Sequence, residues 1–443
     1  MAQVALFAAT LALAGVGSHP QTPWVVGALA LAIAFAAATQ DIAVDAYVVD
    51  VLRPEEQGIA VGARIAVYRG AMFVTSGVSI TLAARLSWPV VNVALACLYL
   101  PMLWVTARAP EPEHARPAPR NLRDAVWHPF LGFLARHRAL EILAFVFFYK
   151  LADNLADALK RPFLIDMGYT AVDRGVALAT VGLVAVVLGA LIGGAITGVI
   201  GLGHSLWLFG VLMIVSNLGY ILVATAGGVN RPLMYGAIGF ETVTQGFSTG
   251  AFSVLLVRMT QKRFSATQYA LFSSLFGLPR VVSGPIAGFT VHALGWTNFF
   301  WLTMLAGLPG LALLARFVPP GTREPTFTIE PPRPGRPLTA GELTARGVAG
   351  GLAAALGGAV AIAGLTALER WKDAAAAGFD LATPLLEVLR PSTLGGWLEL
   401  LGLAAFGAVC GLFTAAVAAA RHGAGRDLAL DEDETAGASA GSN

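Results

Sequence analysis

Gln40, Asp41 and Asp45 interrupt the apolar stretch "AAATQDIAVDAY" at a depth where hydrocarbon is expected, and the two carboxylates, one turn apart, share a helix face. A carboxylate in hydrocarbon is costly unless it faces a bundle interior, meets a cation or takes a proton. The pair therefore suits proton coupling or gating, with a structural cap or an interhelical hydrogen bond as the other reading. A second constellation lies in "YKLADNLADALKRPF", where Lys150, Asp153, Asn154, Asp157 and Lys160 recur at helical spacing and give one polar face. Either this face lines a watery pathway, with Lys150 binding an anionic group that Asp153 or Asp157 replaces between binding events, or it is an ion-pair network within the helix. Glu241, Thr242, Thr244 and Gln245 form a third cluster that can line the same pathway or satisfy neighbouring helices. Arg64, Tyr68 and Arg69 form a fourth, in which a guanidinium can bind phosphate or carboxylate, or Arg64 can pair with Asp41 or Asp45.

The elements that must hold these groups are membrane helices. Hydrophobic residues make up 56% of the 443-residue chain and charged residues 13%, against roughly a quarter charged in soluble domains. Apolar windows of about 20 residues recur, whereas the short alternating segments of a β-barrel do not. An all-α polytopic bundle follows, with backbone groups satisfied inside each helix. Twelve spans are expected, at 2–17, 24–50, 59–84, 88–106, 140–162, 173–200, 205–226, 232–258, 266–292, 295–316, 343–367 and 396–420. Basic residues gather in 107–139, around Arg258 to Arg263, and in 316–346, which places those loops and both termini in the cytoplasm. Lys160, Arg161 and Arg174 would then lie outside.

The expected organisation is an incomplete N-terminal bundle of four spans over 1–106, a cytoplasmic linker with a short surface helix over 107–139, and a six-helix bundle over 140–316. A Pro-rich linker covers 317–342, two additional spans 343–420, and a disordered acidic tail 421–443. Cys97 and Cys410 lie in apolar stretches and read as small membrane side chains. No Walker sequence, zinc-type grouping or hydrolase elbow is present, so neither enzyme activity, cofactor nor metal is expected, and the scattered basic residues do not form a nucleic-acid face.

An internal repeat ties the clusters together. "TQDIAVDAYVVDVLR", from Thr39 to Arg53, lies over "TQGFSTGAFSVLLVR", from Thr244 to Arg258, and after a short insertion "YRGAMFVTSG" lies over "LFGLPRVVSG". Two parallel repeats around a common pathway are expected of a transporter. The second TQ, in "FSATQ", stands beside a basic loop and reads as a helix start with Ser265 as its cap.

The blocks "ATQDIAVDAY", "RPEEQGIAVGARIAVYRGAMFVTSG", "YKLADNLADALKRPFLIDMGYTAVDRGVA", "TQGFSTGAF" and "FSATQYALFSSLFGLPRVVSGPIAG" resemble the AmpG-like muropeptide permeases of the major facilitator superfamily, with broader similarity to acetyl-coenzyme A transporter-like proteins. The resemblance runs from Met1 to about Pro320. It implies a monomeric, proton-driven importer of anhydromuropeptides in the bacterial inner membrane, with sugar peptide, protons and lipid as its partners. It also implies fourteen spans, of which this chain looks like the third through the fourteenth. Gln40, Asp41 and Asp45 then fall on the family's fourth span, and Lys150, Asp153 and Asp157 on the helix opening the second half. The connection "GVIGLGHS" departs from the superfamily's Arg/Asp-rich gate motif. The alternatives are transport of a coenzyme A thioester or drug-like amphiphile, or a truncated, nontransporting membrane protein.

Overall fold

A computed structural model describes residues 1–16, 23–111, 121, 123–325, 338–373, 379–425 and 428. The acidic tail, the middle of the second Pro-rich linker, Arg116, Arg120 and His19 lie outside the described residues. Among the described residues the regular structure is helical and no sheet forms. The first helices are α1 (Ala2–Val16), α2 (Pro23–Val51), α3 (Gln57–Phe73), α4 (Ser79–Leu86), α5 (Trp88–Cys97) and α6 (Tyr99–Ala107). The middle of the chain forms α7 (His128–Leu134), α8 (Ala139–Ala158), α9 (Lys160–Asp166), α10 (Ala171–Gly175), α11 (Gly182–Ile200), α12 (Leu202–Ser216), α13 (Leu218–Thr225) and α14 (Arg231–Met259). The long α15 (Ser265–Phe317) is followed by α16 (Ala340–Asp373), α17 (Ala382–Leu389) and α18 (Leu394–Arg421).

The breaks have local causes. Pro162 lacks the N–H that would bond the carbonyl of Ala158, so the helix opens at Leu159 and restarts as α9. Within α15, Gly295 takes φ of 75° and divides two arms, a conformation that an L side chain adopts with strain. Turns of π geometry over Val74–Val78 and Val176–Val181 join α3 to α4 and α10 to α11.

Among the described residues, seven helices are long and apolar enough to cross a membrane, the one over Lys262–Phe317 covering two of the expected spans, and Ala2–Val16 is a shorter apolar helix. The difference from twelve has a chemical reason. α8 and α14 have the length, at 20 and 29 residues, but carry Lys150, Asp153 and Asp157 in one and Glu241, Thr244 and Gln245 in the other. Of the expected spans that fall short, these two bear polar clusters, whereas Ala2–Val16 is limited by its length.

The chain forms two compact units, one of Met1–Ala118 with Glu141–Thr326 and one of Pro119–Leu140 with Phe327–Asn443. In the first unit, α3 and α11 lie backbone to backbone. A Cβ at Gly62 would stand 2.5 Å from the Ala190 carbonyl oxygen, and one at Gly58 would meet the Gly194 carbonyl at 2.5 Å. Close approach of this kind is what small residues permit between membrane helices. At the same end, Arg258 of α14 donates to Gln57 Oε1 at 3.1 Å and pairs with Glu324, and Ser265 Oγ donates to Asp50 at 3.2 Å. The halves marked by the repeat are thus clasped where their terminal arginines lie. The segment after α15 crosses the α11–α12 turn, where the Gly203 N–H donates to the Arg323 carbonyl at 2.8 Å and the Trp207 indole to Val318 at 2.8 Å. An aromatic cluster of Phe163, Tyr220, Trp296 and Phe300 packs α9, α13 and α15 together.

In the second unit, α16 and α18 cross with Gly347 and Gly351 against Gly411 and Gly407. α17 tucks back so that Val388 packs on Ala359 and Leu403, and Arg370 pairs with Glu387 at 2.7 Å. The short helix expected at the surface is α7, but its "PFLGFL" is buried, and Phe130 meets Phe413 of α18 edge-on at 6.3 Å. An apolar run of that density covers a partner helix rather than facing water.

Gly62→Ala is expected to destabilise the first unit by about 1–3 kcal/mol, as overpacking against rigid backbone does. Gly70→Ala, where a Cβ meets nothing within 4 Å, serves as the control. Thermal unfolding in detergent, with only Gly62→Ala lowering the midpoint, checks this; equal midpoints would reject the close contact.

Candidate functional site

The polar groups of the first unit collect into two clusters, each bridging several helices. In the first, Asp45 of α2 is buried and ion-paired with Arg64 of α3. The phenol of Tyr269 on α15 lies near the same guanidinium. The structure therefore realises the pairing alternative for Arg64. Asp41 is exposed one turn away, and Gln40 is half-buried with an Oε1 that accepts no hydrogen bond. Tyr68 is not brought in, being 61% exposed. α15 does not start on a Ser265 cap as expected. Its N-cap position is Phe264, without a side-chain bond, while Gln268 Oε1 accepts the Gln261 N–H at 2.9 Å and the Ser265 hydroxyl turns to Asp50.

The second cluster begins at Lys150, buried in α8, whose Nζ donates to Asp153 Oδ2 and to Thr249 Oγ1 of α14, both at 3.0 Å. Gln245 Nε2 donates to the other Asp153 oxygen at 3.2 Å. Asn154 Nδ2 donates to the Lys150 carbonyl at 2.7 Å, so it serves its own helix. One turn onward the break at Leu159 swings Lys160 inward. Its Nζ lies 2.8 Å from Asp157 Oδ1 and 2.7 Å from Glu241 Oε2. Lys160 is buried, and an ammonium beside two carboxylates in a water-poor site is held by both. Glu241, 2% exposed, also accepts from Tyr220 and Thr242 at 3.2 Å each, and its Oε1 has no partner. Thr244 is buried and bonds back to the Glu241 carbonyl at 2.8 Å, so its hydroxyl is used within α14.

Asp157 is the open edge of this cluster, its side chain half exposed. Arg69 of α3 and Arg280 of α15 lie near enough to act on its charge. The helical face read from α8 thus has features of both alternatives: Lys150, Asp153 and Lys160 are a buried ion-pair network, and Asp157 is half exposed within electrostatic reach of two guanidinium groups. Tyr220, Thr249, Tyr269 and Arg280 are the members that sequence reasoning missed. The signal for Arg280 was present, since an arginine inside an apolar helix marks a functional position as Arg64 does. The tyrosines and Thr249 carry no such signal, because their types are common in any helix.

Residues 1–284 match the family description of the Major Facilitator Superfamily. The chain is 38% identical over 314 residues to the anhydromuropeptide permease of Escherichia coli K12, a match covering 70% of this chain and 64% of that protein. A protein of Haemophilus influenzae Rd described as uncharacterized is 33% identical over 297 residues, covering 65% of this chain and 70% of that protein. The chain thus spans a little under two thirds of the length of the E. coli permease it matches.

Removing the charge of Lys160 alone leaves Glu241 buried without a cation. Lys160→Met is expected to cost about 3–5 kcal/mol, and Glu241→Gln added to it to restore much of that loss. A double-mutant cycle by denaturant unfolding in detergent checks this; additive losses would reject the pairing.

Proposed function

The chain belongs to the Major Facilitator Superfamily, and from that premise we propose that it is a proton-coupled secondary transporter carrying anhydromuropeptides, or closely related wall-derived sugar peptides, inward across the bacterial inner membrane. The reading includes twelve membrane crossings with both termini cytoplasmic. The observation that carries it is the open edge of the second cluster, where Asp157 is half exposed and within electrostatic reach of Arg69 and Arg280, which come from helices of opposite halves. The permease named in the comparison handles a substrate of muropeptide type, and such a molecule presents carboxylates, amides and hydroxyls. Its carboxylates would meet these two guanidinium groups, to which planar bidentate bonding suits them. Gln40, with a buried oxygen that no described donor meets, and Gln245 would meet amides and hydroxyls.

Lys150 is already held by Asp153 and Thr249, so its role is to fix α8 against α14 and set the positive potential of the cavity. Asp41 is the proposed proton carrier. It is exposed and one turn from Asp45, which is engaged with Arg64. Protonating Asp41 removes a like charge beside that pair and biases one access state over the other. Asp45 is the second candidate, because its protonation would release Arg64 from its ion pair. No covalent chemistry is required, and only the difference in affinity between two access states drives the cycle.

Labelled anhydromuropeptide is expected to accumulate in proteoliposomes of the full chain when the outside is acidified. Failure by folded protein would remove the substrate assignment. Asp41→Asn should abolish gradient-driven accumulation while exchange persists, and unchanged pH-dependent accumulation would reject Asp41 as the carrier. Arg280→Gln should raise KM for the anionic substrate about tenfold or more, the loss of one charged hydrogen bond; an unchanged KM would remove Arg280 from the site.

A further inference from the structure

The second unit contains a groove that the transport reading does not use. It has a volume of about 910 Å³ and runs along one side of the α16–α18 pair, from Ala340 and Ala415 at one end to Ala359 and Leu400 at the other. Its walls are apolar, and Leu352 and Leu356, 59% and 57% exposed, stand along it. Its depth comes from the glycines at the crossing. Gly347, Gly351, Gly407 and Gly411 place no side chain between the helices, and a Cβ on Gly351 would come within 2.7 Å of the Gly407 carbonyl. The polar character of the groove is confined to one end, where Arg123 and Trp127 stand at its mouth beside Leu343 and Thr344. Arg123 is exposed and makes no ion pair with any described carboxylate, since the neighbouring Asp124 is taken by His128 at 3.2 Å.

We propose that this groove binds an anionic phospholipid of the bilayer, with its phosphate on Arg123 and an acyl chain lying along the glycine crossing. Three features select this occupant. The charge is at one end only, as in a lipid, and its sign is opposite to that of an anionic headgroup. Trp127 stands beside the charge, where indole rings collect at membrane interfaces. The groove is as long as the hydrocarbon layer is thick, so an acyl chain from one leaflet fits within half of it: Ala340 to Ala359 is 19 steps of 1.5 Å, about 28 Å, against a thickness of about 30 Å. A lipid anchored at Arg123 and reaching to mid-membrane therefore covers the stretch from Leu343 to about Leu352. The chain fills space that the glycines leave and that a side chain cannot fill without parting the helices.

The test uses the full chain, purified in mild detergent, titrated with phosphatidylglycerol or phosphatidylcholine and followed by native mass spectrometry. Phosphatidylglycerol is expected to bind more tightly than phosphatidylcholine, by about fivefold, the effect of one basic side chain near a lipid surface. Arg123→Gln should erase that preference, and Leu352→Trp, which obstructs the groove, should lower occupancy by both lipids. Quenching of tryptophan emission by phosphatidylglycerol brominated on its acyl chain should fall when Trp127 is replaced by Phe, which keeps the fold measurable. Equal affinity for the two lipids, or occupancy indifferent to both substitutions, would overturn the proposal. So would crosslinking of a cysteine placed at Leu352 to a protein segment, which would show the groove filled by polypeptide.

Discussion

Hydrocarbon does not solvate charge, and the first unit is organised around the ion pairs that satisfy this constraint. Lys160 lies between Asp157 on α8, across the helix break, and Glu241 on α14, so one ammonium ties α8, α9 and α14 at a single point. Lys150 repeats the device a few turns earlier with Asp153, Thr249 and Gln245. Without these bonds α8 and α14 would each carry uncompensated charge within the membrane. With them, two helices too polar to cross lipid alone can stand side by side.

The same constraint assigns each carboxylate a different freedom. Asp153 and Glu241 are buried and bonded to cations, while Asp157 is bonded on one side and open on the other. In the N-terminal half Asp45 is engaged by Arg64 and Asp41 is not. Each half thus offers both committed carboxylates and an open one. A transporter needs fixed charges to keep its bundles intact and exchangeable ones to respond to cargo and protons, and this division meets both needs.

Much of this was legible in the sequence, though unevenly. The composition required a helical membrane protein, and the clusters on α2, α8 and α14 were visible because acidic, basic and amide side chains are rare in apolar helices. The repeat identified "TQ" and the terminal arginines, and Arg258 does join the two halves by reaching Gln57. What could not be read was pairing across helices. Whether Arg64 faced Asp41, Asp45 or a ligand depended on packing, and the inward turn of Lys160 depended on the break that Pro162 imposes. The short apolar helix before α8 gave no sign in its own sequence of the neighbour that buries it, because an apolar face specifies burial but not its partner.

Glycine marks the remaining architecture. Where α3 meets α11 and where α16 meets α18, carbonyl groups of one helix stand where a Cβ of the other would be. Both contacts exchange side-chain volume for proximity of backbones, but with different consequences. Between α3 and α11 the contact belongs to an end where Arg258 and Asp50 also bind across the halves, so proximity there strengthens a clasp. Between α16 and α18 the crossing is lined by glycines and apolar side chains, and the missing side chains leave a trough open along its length. The same residue type therefore closes one contact and hollows another, and the difference lies in whether polar groups surround the crossing or only apolar ones do.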